Sequence, residues 1–150
     1  MENFLASLEA QKLRAIDELE RLNPLTARFG LTLTRAQTEA LVERRFKALE
    51  DNGRVEFRGG VLKPLAVAFC DSPYIENDAW EQTLSDLQDC FYYFKNESRD
   101  TLADDELIGY MRLFFDKKCE GSVDYLMGTS LETLCRAARL ASYGMEDDDE

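Results

Sequence analysis

Apolar residues recur at steps of three and four along most of the chain, which is the spacing of one face of an α-helix. Comparable stripes predict six helices, at 3–22, 35–51, 61–70, 77–97, 104–120 and from residue 123 onward. Because the connections between them are short, we expect neighbouring helices to run antiparallel. The clearest stripe has five side chains at steps of 4, 3, 4 and 3: Trp80, Leu84, Leu87, Phe91 and Phe94.

Residues with characteristic roles mark several helix ends. Pro24 ends the first helix, because proline disfavours helical backbone in the residue before it. Thr34 with Gln37 three residues later is the signature of a capping box, and it predicts the start of the second helix. Gly53 follows that helix as a left-handed C-terminal stop, and Ser122 is expected to cap the last helix.

Two short segments alternate apolar and polar residues as strands do. We expect Leu31–Leu33 and Val55–Phe57 to form a small ribbon packed on helices, because an isolated ribbon is only marginally stable. The predicted fold class is therefore mainly α, a bundle of five or six helices with a minor two-stranded β-ribbon. It forms a single helical domain over residues 1–145. The five carboxylates of Glu146–Glu150 repel one another and predict a disordered acidic tail.

The chain has 30 acidic and 18 basic residues and a net charge of −12, which repels nucleic acid and anionic membranes. Residues 23–60 differ, since they carry a net charge of +2. A nucleic-acid-binding regulator acting through the Arg28–Arg58 segment is therefore one alternative. Glutamates interleave with these basic residues, a pattern typical of local ion pairs, so binding of nucleic acid is not expected.

Cysteine usage and hydropathy indicate a reducing compartment. The N-terminal residues alternate charged and apolar types unlike an export signal, and no apolar run approaches the roughly 18 residues of a membrane span. We therefore expect a cytoplasmic protein without a membrane segment. Its four widely spaced cysteines form no CxxC pair and are expected to be buried, reduced thiols: Cys70, Cys90, Cys119 and Cys135.

The chain contains no histidine, which removes the Ser-His-Asp and Cys-His types of nucleophile activation and the commonest metal ligand. Paired acids along the fourth predicted helix leave a small metal-dependent hydrolase as a second alternative. Asp78, Asp86 and Asp89 nevertheless lie opposite the stripe that begins at Trp80, as on a solvated face. We therefore expect no metal site, no cofactor and no catalytic residue.

The string FCDSPY, which breaks the chain between two helices, is the most site-like feature. It brings a thiol, a carboxylate, a hydroxyl and a phenol into one candidate loop, formed by Cys70, Asp71, Ser72 and Tyr74. The alternative is an ordinary turn, in which Asp71 and Ser72 bond to backbone N–H groups and Cys70 fills core. Cys70 is expected to be unreactive, because it ends a helix and stands beside an acid.

The aromatic run Phe91–Phe94 exceeds what one helix face can bury. Tyr92 and Tyr93 are therefore a candidate interaction surface, since exposed aromatic side chains beside polar ones favour protein contacts. The alternative is a helix that is packed on two sides.

Several strings resemble a family of short bacterial proteins, mainly from anaerobic Firmicutes, known as domain of unknown function 6323. The resemblance implies a bacterial cytosolic protein, and it brings no activity, ligand or catalytic residue with it. The matching strings are TARFGLTLT (26–34), GRVEF (53–57), FCDSPY (69–74), FYYFKNES (91–98) and DDELI (104–108).

The sequence therefore favours a non-enzymatic protein-interaction domain over either alternative. The expected partner is another protein, or a second copy of the chain, bound through an aromatic or acidic surface.

Overall fold

The computed structural model describes residues 2–54, 61–127 and 130–148, and these residues form helices joined by turns and short loops. Six of the helices have eight or more residues. Short 3-10 turns occupy Ala27–Phe29 and Asn77–Ala79. The α-helices are α1 (Glu2–Glu20), α2 (Asn23–Thr26), α3 (Arg35–Asp51), α4 (Leu62–Phe69), α5 (Trp80–Glu97), α6 (Asp104–Lys117), α7 (Val123–Met127) and α8 (Ser130–Asp148).

The mainly helical class predicted from the sequence is confirmed, but the described residues contain no strand. Leu31–Leu33, predicted to be half of a ribbon, is instead an irregular link whose backbone bonds to asparagine side chains. The N–H of Leu33 donates to Asn23 Oδ1 and its carbonyl accepts from Asn23 Nδ2, both at 2.9 Å, and the N–H of Thr32 donates to Asn77 Oδ1 at 2.9 Å. The other predicted strand, Val55–Phe57, lies outside the described residues.

Several helix ends follow the expected chemistry, but Pro24 does not end the first helix: α1 ends at Glu20, and Pro24 lies in the first turn of α2. Thr34 Oγ1 accepts from the Gln37 N–H at 3.1 Å while Gln37 Oε1 accepts from the Thr34 N–H at 2.8 Å, so the predicted capping box is present. Gly53 has the left-handed φ of 64° that the stop after α3 requires. Ser122 Oγ accepts from the Tyr125 N–H at 3.3 Å and caps α7, but the single last helix predicted from residue 123 onward is two helices, α7 and α8.

The chain divides into two compact units, Met1–Gln88 and Asp89–Glu150, and the division falls within α5. In the first unit, α1 packs against α3 and α4. Arg35 joins α3 to α1 through ion pairs with Asp17 at 3.2 Å and Glu20 at 2.9 Å. The single domain predicted for residues 1–145 stays a prediction.

In the second unit, α6, α7 and α8 pack against one another. The buried ammonium of Lys95 holds the loop between α5 and α6, since it donates to the Leu102 carbonyl at 2.6 Å and pairs with Asp104 at 2.8 Å. Helix α8 continues to Asp148, and residues 149–150 lie outside the described part; the disordered tail predicted for residues 146–150 stays a prediction. No helix of the described chain is both long enough and apolar enough to cross a membrane.

Candidate functional site

The candidate loop FCDSPY folds as a compact turn after α4. Cys70 is the C-terminal cap residue of α4, and its buried thiol lies 3.5 Å from the Val67 carbonyl. The Ser72 N–H donates to the Phe69 carbonyl at 3.0 Å, and Ser72 Oγ accepts from the Tyr74 N–H at 3.3 Å. These bonds match the turn alternative of the sequence analysis.

The four candidate side chains of this turn differ in exposure. Cys70 and Ser72 are buried, whereas Asp71 and Tyr74 are exposed. The loop as a functional site therefore stays a prediction.

All four cysteines are buried and none is in a disulfide. Burial raises the pKa of the Cys119 thiol. Burial, and then the nearby charges of Glu97 and Glu132, raises the pKa of Cys135 to about 11. A thiol whose pKa is raised in this way forms little of the nucleophilic thiolate at neutral pH.

The structure does not place the candidate surface Tyr92 and Tyr93 in solvent. Tyr92 is 0% exposed, which corrects its assignment to an interaction surface, and Tyr93 is only partly exposed. Tyr92 is buried because α5 is covered on more of its circumference than its apolar stripe alone. Gln88, Tyr92 and Lys95 are buried in addition to that stripe. The alternative of a helix packed on two sides describes this segment better.

Tyr93 belongs to a polar network between α5 and α8. Its hydroxyl donates to Glu132 Oε1 at 2.8 Å, and the same oxygen accepts from Arg136 Nη2 at 2.9 Å. Arg136 Nε lies 3.5 Å from Glu97 Oε2. The hydrogen bond to Glu132, then burial and the charge of Glu97, raises the pKa of Tyr93 to about 12. The phenol therefore keeps its proton and serves as a donor.

The basic segment does not present its cations on one face. Arg28 and Arg44 are exposed, but Arg45 is 4% exposed and Arg58 lies outside the described residues. Arg35 is engaged by carboxylates of α1 and α3. Among the residues that the structure describes, no group of three or more cysteine and acidic side chains could hold a metal ion.

Sequence reasoning missed an exposed aromatic side chain on α7. Tyr125 is 70% exposed, the largest exposed fraction among the large apolar side chains described. The acids Glu120 and Asp124 near it in sequence are also exposed. A signal was available, because Tyr125 lies off the apolar face that Val123, Leu126 and Met127 predict for this helix.

Sequence reasoning also missed a small open cleft of about 20 Å³ in the first unit. Residues from α1, α3 and α4 line this cleft. No periodic sequence pattern predicts it, because each helix contributes only one to three residues. The cleft is lined by Ala15, Glu18, Leu19, Arg45, Leu62 and Lys63.

Comparison with known proteins gives a family without an activity. No curated protein and no solved structure was found to match the chain. A family model matches residues 18–144, which includes the capping box of α3, the FCDSPY turn and the whole of α5. The chain therefore belongs to the family of unknown function DUF6323.

Proposed function

We propose that this chain is a non-enzymatic, cytoplasmic protein-binding domain whose second unit contacts a basic surface of another protein. The observation that carries the proposal is Tyr125, an aromatic side chain 70% exposed on a helix whose start is fixed by the Ser122 cap. Tyrosine is enriched at binding hot spots because it contributes a large, rigid contact area together with a polar end.

The charge of this unit supports a basic partner. Asp89–Glu150 contains fifteen acidic and seven basic residues, a formal charge of −8. The exposed carboxylates of Glu120 and Asp124 lie close to Tyr125 in sequence, so an aromatic contact with an acidic rim is available. Opposite charge on the partner would speed association and favour the correct orientation.

Self-association is the weaker form of the proposal. Two copies of a chain with a net charge of −12 repel each other, and high net charge keeps proteins monomeric. A second copy would also need to bring a basic surface to the acidic unit, whereas in segment 23–60 Arg35 is paired with acids and Arg45 is buried.

Neither alternative function gains a supporting observation. Nucleic-acid binding through the Arg28–Arg58 segment needs its cations on one exposed face, and Arg45 is buried. The hydrolase alternative needs carboxylates that converge, and the acids described on α5 provide no such group.

The test is comparative capture from native lysate with the whole chain as bait, followed by mass spectrometry. The bait variants are Tyr125→Ala and the double variant Glu120→Gln, Asp124→Asn. The matched control is Tyr74→Ala, which truncates another exposed tyrosine in the first unit. We expect a specific partner with a basic surface to be captured by the wild type and the control, and to be lost from both variants.

Salt and sedimentation complete the test. Capture should weaken as salt is added, because the contacts are largely electrostatic at the rim. A protein that is captured equally by the wild type and Tyr125→Ala would overturn the assignment of the surface. A stable dimer in sedimentation, abolished by Tyr125→Ala, would replace the basic partner by a second copy.

A further inference from the structure

Two sulfur atoms of the second unit lie in direct contact. The thiol of Cys90 on α5 donates to the thioether Sδ of Met127 on α7, and the two sulfurs are 3.0 Å apart. Both residues belong to Asp89–Glu150, so the contact lies within one compact unit. It joins α7, a helix of five residues, to a buried position of α5.

The two sulfur-bearing side chains differ in their access to solvent. Cys90 is 1% exposed, whereas Met127 is partly exposed and therefore lies nearer to solvent. Met111 of α6 offers an internal comparison, because it is 0% exposed. Since oxidation of sulfur side chains follows their exposure, a small oxidant in water reaches Met127 before Met111.

We propose that Met127 is an oxidation site, and that its conversion to the sulfoxide by hydrogen peroxide breaks the contact with Cys90 and displaces α7. In this step a lone pair of Met127 Sδ attacks one peroxide oxygen, so that an S–O bond forms and the O–O bond breaks. The departing hydroxide takes the proton of the new S–OH group and leaves as water. The sulfur is oxidised by two electrons, and the peroxide is reduced by two.

The sulfoxide no longer suits the surroundings of Cys90. Oxidation turns an apolar, flexible side chain into a polar one, and burial of a polar group without a partner costs free energy. The sulfoxide oxygen therefore favours water, and the side chain of Met127 turns away from Cys90. Helix α7 resists this movement weakly, because Leu126 is its one buried residue besides the contact made by Met127.

Displacement of α7 also reaches the proposed protein contact. Tyr125 lies two residues before Met127 on the same helix, so movement of α7 changes the position of its exposed ring. This consequence rests on the proposed function. Oxidation of Met127 and uncovering of Cys90 do not rest on it, and they can be measured without a partner protein.

The experiment treats the full chain with millimolar hydrogen peroxide. Peptide mass spectrometry then measures the oxygen gained by each methionine, and N-ethylmaleimide measures the labelling rate of each cysteine in the native protein. We expect Met127 to be oxidised at least roughly tenfold faster than buried Met111, because susceptibility follows exposure. The labelling rate of Cys90 should rise severalfold in the oxidised protein, while that of Cys70 in the first unit stays unchanged.

Oxidised thiols are separated from oxidised methionine by reduction. Dithiothreitol, added after the peroxide is removed, reduces oxidised thiols but not methionine sulfoxide, so the faster labelling of Cys90 should persist. A methionine sulfoxide reductase should return the labelling rate to that of untreated protein.

Variants assign the effect to one sulfur. Met127→Leu keeps an apolar side chain but has no sulfur to oxidise, so peroxide should leave its Cys90 labelling unchanged. Met111→Leu is the matched control and should respond as the wild type does. Met127→Gln places a polar group at the same position, and it should label quickly at Cys90 without any peroxide.

Three results would overturn the proposal. These are oxidation of Met127 no faster than that of Met111, unchanged labelling of Cys90 in protein whose Met127 is fully oxidised, and a full peroxide response in Met127→Leu. Each is read within one variant as the ratio of treated to untreated protein, so a change in stability caused by the substitution itself does not affect it.

Discussion

Buried polar side chains of α5 differ in how well their hydrogen-bonding groups are satisfied. Lys95 donates to the Leu102 carbonyl and to Asp104, so its buried charge is compensated. Gln88 is 0% exposed, and neither its Nε2 nor its Oε1 has a hydrogen-bond partner among the described residues. A buried amide without partners is destabilising, and such groups are few in folded proteins.

We predict that Gln88→Met stabilises the fold. Methionine has a similar shape and buries no unsatisfied group, so the free energy of unfolding should rise by about 1–3 kcal/mol. Urea unfolding measures this change. Gln88→Glu serves as the opposite control, because it places a carboxylate in the same buried position and should destabilise. A loss of stability with methionine would mean that the amide binds an ordered water or ligand.

The Tyr93 phenol gives the protein a pH dependence in the alkaline range. Its pKa is raised from 10.0 to about 12, first by the hydrogen bond to Glu132. A group whose pKa is raised on folding stabilises the fold fully below its unfolded pKa. That contribution is lost as the pH rises from 10.0 through about 12.

Absorbance titration of tyrosinate tests this directly. Subtracting the curve of Tyr93→Phe from that of the wild type should leave one component centred near pH 12. The same subtraction in a Glu132→Gln background should move that component to lower pH, because the accepting carboxylate is gone. A component at pH 10 in the wild type would contradict the hydrogen bond.

At the scale of helices, the starts of α3 and α6 differ in one capping group. α3 has both halves of the box formed by Thr34 and Gln37. At α6 only the return half can form, in which Glu106 Oε1 accepts from the Ala103 N–H at 3.1 Å, because alanine has no side-chain acceptor. Ala103 already has the extended backbone of a cap residue, with φ −64° and ψ 155°.

Ala103→Ser should therefore complete the box and stabilise the fold by about 0.5–2 kcal/mol. Thermal or urea unfolding measures the gain. The gain should shrink in a Glu106→Ala background, since the two halves of a capping box support each other. An unchanged midpoint for Ala103→Ser would show that the start of α6 is held by tertiary contacts alone.

Helices with regular stripes were predictable because burial of one face imposes its own period on the sequence. The ribbon was not, because alternation in Leu31–Leu33 also fits an irregular link whose backbone groups bond to Asn23 and Asn77. Asn77 lies 45 residues from Thr32, so this choice depends on a tertiary contact that local sequence does not record. Tyr92 was assigned to an exposed surface for a related reason. How many faces of a helix are buried depends on how many neighbouring helices surround it, which the local sequence does not record.

At the scale of the whole molecule, the most pronounced property of the chain is its net charge of −12. The last turn of α8 has no basic residue, and Glu146, Asp147 and Asp148 lie near its C-terminus, the negative end of the helix dipole. Like charges there repel one another and the dipole, so this end of the chain contributes little to stability.

Deleting Glu146–Glu150 should leave the melting temperature unchanged or slightly raised at low ionic strength. The deletion changes the net charge from −12 to −7, and any gain should be below about 1 kcal/mol and vanish in high salt. Calorimetric scans of both proteins at two salt concentrations measure it. A marked drop would mean that these acids dock on a basic surface of the same chain.

The candidate sites were harder to predict than the fold. The FCDSPY string could be recognised as a break between helices, but the sequence could not say which of its side chains are buried. The cleft residues come from positions as distant as Ala15 and Lys63, and only folding brings them together. The exposure of Tyr125 could have been predicted from the sequence, because Tyr125 lies off the apolar face of its helix.

The four buried thiols divide between the two compact units, with Cys70 in one and Cys90, Cys119 and Cys135 in the other. Each thiol can react with a labelling reagent only when its surroundings open transiently, so its labelling rate reports how often that opening occurs. If the protein opens as one cooperative body, mass spectrometry should record all four cysteines modified with the same time constant. If the two units open separately, Cys70 should be labelled with a different time constant from the other three cysteines. The native cysteines therefore test, without any engineered substitution, whether the two compact units unfold in one transition.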